Sequence, residues 1–81
     1  MENQKIKNDE NNTIGKNIRE ARQKAEMGQT ELVGKLQLLD YDVKINRETL
    51  VKIERGVQHI RLDQLKAIKR VLGVSYEDLL D

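Results

Sequence analysis

The side chains with chemistry to offer gather in residues 46–56, NRETLVKIERG. Read as a helix with Leu50 and Ile53 turned inward, this stretch sends Arg47, Glu48, Val51 and Lys52 outward and leaves Asn46 at its tip. Arg47 presents a rigid planar fork of donors, Lys52 a point charge and Glu48 an acceptor. Such a face can recognise a patterned polar surface, but it pairs no nucleophile with a base. No histidine, serine and carboxylate constellation, glycine-rich phosphate loop or carboxylate pair is legible elsewhere, so the chain is not expected to be an enzyme. His59 is the single histidine and cysteine is absent, which excludes disulfides, zinc fingers and thiol chemistry and leaves no metal site. Asp40-Tyr41-Asp42 starts like a calcium loop, but Lys44 holds the fifth position and the glycine is missing. No cofactor and no small-molecule ligand are expected.

The elements that must position residues 46–56 follow from periodicity. Residues 1–12 contain one aliphatic side chain, Ile6, and read as a flexible polar tail ahead of a single domain over 13–81. Ile14, Ile18, Ala21 and Ala25 share a face behind Thr13 as N-cap, giving a first helix that ends near Glu26. Leu32, Val33, Leu36 and Leu39 make a second stripe, opened by Gly28 as a weak cap. Tyr41, Val43 and Ile45 alternate with Asp42 and Lys44, an extended signature. Asn46 caps the third helix, and Gly56 stands where a left-handed terminator is expected. Leu62, Leu65, Ile68 and Leu72 form a fourth helix closed by Gly73. Ser75 with Asp78 resembles a capping box opening a short fifth helix that buries Leu79. The fold class is therefore all-α, a compact bundle of five short helices.

"MGQTELVGKL" (27–36), "NRETLVKIERG" (46–56) and "LKAIKRVLGVSYEDLL" (65–80) resemble the lambda-repressor-like, Cro/C1-type (XRE) helix-turn-helix family. The resemblance spans about 68 of 81 residues. It implies a DNA-binding fold whose third helix, 46–55, enters the major groove, about 12 Å wide and able to accept one helix. Carried over to this chain, it makes Asn46, Arg47, Glu48 and Lys52 base-contacting; Arg47 suits the O6 and N7 acceptors of guanine. Gln29, at the start of the second helix, matches a phosphate-contacting residue, and Thr49, Arg55 and Arg19 are further phosphate candidates. The family also pairs a glutamate at the place of Glu54 with an arginine of the first helix, here Arg19 or Arg22. One departure is the connection between helices two and three, "QLLDYDVKI", about seven residues longer than the family's short turn. It sets Asp40 and Asp42 near the DNA side and leaves room for the second helix to run past Leu39. Val33 and Lys69 depart too, each standing where a small apolar residue is usual.

Composition limits what this domain can do. With 81 residues, a large substrate cleft is not expected, and with Tyr41 and Tyr76 as the only aromatics there is no base-stacking platform. No apolar run is long enough for a membrane span or a signal peptide, so the expected location is cytoplasmic. The net charge of +1 is too small to steer the chain to a polyanion, yet residues 13–39 carry five basic groups against three acidic. The function expected is sequence-specific binding of double-stranded DNA by a small transcriptional repressor of a bacterium or phage. The family implies a palindromic operator and a homodimer at least on DNA. The alternative is a protein-interaction module of the same fold, antitoxin-like or regulator-binding, with weak or no DNA binding; the near-zero charge and the two aspartates beside the turn keep it open.

Overall fold

Most helix ends trace to a local signal in the chain, although Thr13, expected to cap the first helix, is its first helical residue. A computed structural model describes residues 5–6 and 13–81, in the order β1 (Lys5–Ile6), α1 (Thr13–Lys24), α2 (Gln29–Leu39), α3 (Arg47–Glu54), β2 (Ile60–Arg61), α4 (Leu62–Leu72) and α5 (Tyr76–Leu80). α1 stops at Lys24, before the expected Glu26, because Glu26 takes a left-handed φ of 58° and turns the chain. Its N–H donates to the Gln23 carbonyl at 3.0 Å, and that of Met27 to the Arg22 carbonyl at 3.1 Å. Gly28 caps α2 without a side-chain bond. Gly56 (φ 80°) and Gly73 (φ 66°) adopt the left-handed conformation that a Cβ disfavours, and so end α3 and α4. Ser75 and Asp78 exchange the two bonds of a capping box at 3.0 and 3.1 Å, which opens α5.

α1 packs on α3, α4 and α5, and α2 packs on α3 and α4. Ile18, Leu32, Leu36, Leu50, Ile53, Ile60, Ile68 and Leu79 are fully buried where these faces meet. Burying each such side chain favours the fold by about 1.5–3 kcal/mol. Three members of the expected stripes lie outside this core: Ala25, one residue past the end of α1, and Leu39, the last residue of α2, are exposed, and Leu62, the first residue of α4, is half-buried.

The connection between α2 and α3 keeps the burial pattern expected of it without becoming a strand. Val43 and Ile45 are buried and Tyr41 is exposed, but no strand forms there: the Lys44 carbonyl accepts from the Gln64 side chain at 2.9 Å and not from another strand. α2 also does not run past Leu39. Asp40 leaves helical geometry, and its carboxylate accepts the Asp42 N–H at 3.0 Å in a tight turn. The extended pairing occurs elsewhere: Lys5 lies opposite Arg61 and Ile6 opposite Ile60 in an antiparallel pair. The flexibility expected of the tail falls, for residues 1–4 and 7–12, outside the described residues.

Candidate nucleic-acid interface

α3 is held by its inner side and open on its outer side. Leu50 and Ile53 are buried, Glu54 nearly so, while Arg47, Glu48 and Lys52 are exposed and Val51 is half-buried. Asn46 caps the helix as expected: its Oδ1 accepts the Thr49 N–H at 2.8 Å. That bond occupies the amide oxygen, so what Asn46 presents outward is its NH2 donor pair, suited to an acceptor.

On one flank of α3, Arg19, Gln29, Val51 and Arg55 line a common hollow with Arg22 and Glu54. Three of the four residues expected at phosphates thus come together from α1, α2 and the end of α3. Of the two arginines that could pair with Glu54, the structure selects Arg22. Its Nε donates to Glu54 Oε2 at 2.8 Å and its outer nitrogen to Oε1 at 2.9 Å, with a further bond to the Met27 carbonyl at 2.9 Å. Both side chains are buried, at 10% and 4% exposure. Hydrogen bonding to Glu54 raises the Arg22 pKa above its usual value, against a desolvation that lowers it. Gln29 Nε2 donates to Glu54 Oε1 at 3.1 Å, so the α2 residue expected at a phosphate is braced by the same carboxylate. The sequence contained no signal for that bond, since it depends on how α2 leans on α3.

Thr49 is placed apart from the other three phosphate candidates. It is two residues from Val51, about 200° around the helix, and so faces the opposite flank. There it lines a second hollow with Lys44, Gln58, His59, Arg61 and Gln64. Lys44 was no candidate from sequence, although its place between buried Val43 and Ile45 is the pattern that turns a side chain outward. Arg61 grips Asp63 at 3.0 and 3.2 Å, and these bonds hold the Asp63 carboxyl below its usual pKa.

Asp40 is turned away from α3. It borders a hollow with Asp63, Lys66, Lys69, Arg70 and Tyr76, against α4 and α5, which corrects the expectation that it crowds the DNA side. The tight turn to Asp42 folds it back. Lys69 finds its partner in the Tyr76 ring, with Nζ 4.9 Å from the centroid.

Over 69 residues the chain is 32% identical to Control protein C.BamHI of Bacillus amyloliquefaciens, covering 84% of this chain and 76% of that protein. The chain belongs to the Cro/C1-type helix-turn-helix family. No protein-family model and no solved structure matches it. As a Cro/C1-type protein it is a small transcriptional regulator, and the five-helix bundle is the fold that its sequence resemblance implied. In this Cro/C1-type chain no helix among the described residues is long and apolar enough to cross a membrane. None of these residues forms a group of three or more histidine, aspartate or glutamate side chains able to hold a metal.

Proposed function

We propose that this regulator binds double-stranded DNA sequence-specifically by laying α3 in the major groove, and acts in the cytoplasm as a repressor. The observation that carries this reading is the arrangement of donors: Arg47 and Lys52 stand exposed on the outer face of α3, while Arg19, Gln29 and Arg55 line the hollow along one flank. Arg47 reads a guanine; Asn46, Glu48 and Lys52 complete the base contacts. Arg19, Gln29, Arg55 and Thr49 set the register on phosphates without reading sequence. The chain is a homodimer on DNA, and its operator is palindromic because two-fold protein symmetry requires half-sites about one helical turn apart. With a net charge of +1, non-specific affinity is modest and discrimination rests on few contacts and on dimerisation.

A selection of bound fragments from random duplex DNA tests the reading. Enrichment of a two-fold symmetric sequence supports it, and failure to enrich any sequence refutes it. That failure would favour the partner-binding alternative, for which the exposed Leu38 (88%) and Tyr41 (85%) offer an apolar surface at the end of α2.

A further inference from the structure

The lengthened connection ahead of α3 is anchored from both sides. Val43 and Ile45 are buried, so Lys44 between them must point outward. Its carbonyl accepts from Nε2 of buried Gln64 at 2.9 Å, while Gln64 Oε1 accepts the Arg61 N–H at 2.9 Å. One buried side chain therefore ties the connection to the start of α4 and sets where Lys44 stands. The ammonium of Lys44 lies 5.5 Å from the ring of exposed Tyr41. Lys44 and Thr49 together line two adjoining hollows, one with Tyr41 and Asn46 and one with His59, and among the described residues lining either hollow there is no carboxylate. Asp63, near it in sequence, is bound by Arg61.

A helix lying in the major groove has a phosphate strand along each side, roughly 12 Å apart. Arg19, Gln29 and Arg55 serve one flank of α3, and the Lys44 hollow occupies the other. We propose that the lengthened connection is a second DNA-contacting element, in which Lys44, with Thr49 and His59 beside it, holds a phosphate of the strand opposite to the one met by Arg19, Gln29 and Arg55. This rests on α3 being the groove helix. The connection sets a cation beside the N-terminal half of α3, so both strands are gripped and the helix is centred between them.

Lys44→Ala tests this, since the main-chain bond to Gln64 survives the substitution; an unchanged thermal midpoint confirms the fold. Affinity is measured on a selected duplex and on an unrelated one across a salt series. Lys66→Ala, an exposed cation of α4 beside Asp40, controls for net charge. One phosphate contact contributes a log–log slope of about 0.9, or about eight-fold in affinity between about 1 M and about 0.1 M salt. Lys44→Ala should lose about eight-fold at about 0.1 M on both duplexes with a slope shallower by about 0.9, whereas Lys66→Ala should match the parent. If Lys44→Ala behaves like Lys66→Ala while Arg47→Ala weakens the selected duplex, the proposal falls and the reading of α3 stands. If the parent protein binds no duplex, both fall.

Discussion

Replacing Glu54 with alanine should cost more than any other single polar change in this chain. The substitution leaves the Arg22 guanidinium, 10% exposed, without the carboxylate that accepts two of its hydrogen bonds, and with the Met27 carbonyl as the acceptor that persists. Removing one partner of a buried pair leaves an uncompensated charge, at about 3–5 kcal/mol. A chain of 81 residues has a total stability of about 4–12 kcal/mol. The loss is therefore a quarter or more of the whole, and the thermal midpoint should fall by at least about 12 °C. Urea unfolding followed by circular dichroism measures it. Replacing both partners, Arg22→Leu with Glu54→Leu, should recover most of the loss, because apolar side chains of similar size remove the unpaired charge. A Glu54→Ala cost under about 1 kcal/mol, or a double variant no better than the single, would refute the view that this pair is a buried strut. Because Gln29 donates to the same carboxylate, Glu54→Ala should also weaken DNA binding under conditions where the protein is still folded.

Arg47→Ala should cost about 1–3 kcal/mol of DNA affinity and relax preference at one base, whereas Arg19→Ala should weaken all duplexes alike and flatten the salt slope by about 0.9; competition binding with single-base variants separates the two. Glu26→Gly should stabilise the fold by about 1 kcal/mol, since Glu26 is held at a φ of 58° that a side chain disfavours; an unchanged urea midpoint contradicts this. Acid should destabilise the fold through two carboxyls. Asp63 is held below its usual 3.8 by hydrogen bonds from Arg61, and Asp78 below the same value by the Ser75 N–H and hydroxyl. Carboxyls that bind protons more weakly when folded stabilise the fold above their unfolded pKa, and that contribution is lost as pH falls through the lowered folded values. Unfolding of an Asp63→Asn, Asp78→Asn double variant should therefore depend less on pH below about pH 4 than that of the parent.

What was legible in the sequence is what acts over a few residues. Asn46, Gly56, Gly73 and the Ser75 and Asp78 pair cap or end their helices as read, because a cap needs only its own turn of backbone. The exposed face of α3 was equally legible from the spacing of Leu50 and Ile53. The features that escaped depend on how distant elements meet. β1 pairs with β2 across most of the chain, Gln64 reaches back to the Lys44 carbonyl, and Gln29 finds Glu54 once α2 lies against α3. The choice of Arg22 over Arg19 is of the same kind, since both lie on α1 and only its rotation against α3 separates them. The Asp40 turn was hidden because the connection is longer than the family's turn.

Backbone amide shifts of the labelled protein, followed as a selected duplex is added, test most directly whether α3 reads DNA. The largest changes should fall on residues 46–52, with smaller ones at Gln29, Arg55 and Arg19, while α5 changes little. Changes centred on α4 and α5 or on the Leu38 and Tyr41 surface, with residues 46–52 unmoved, would contradict it.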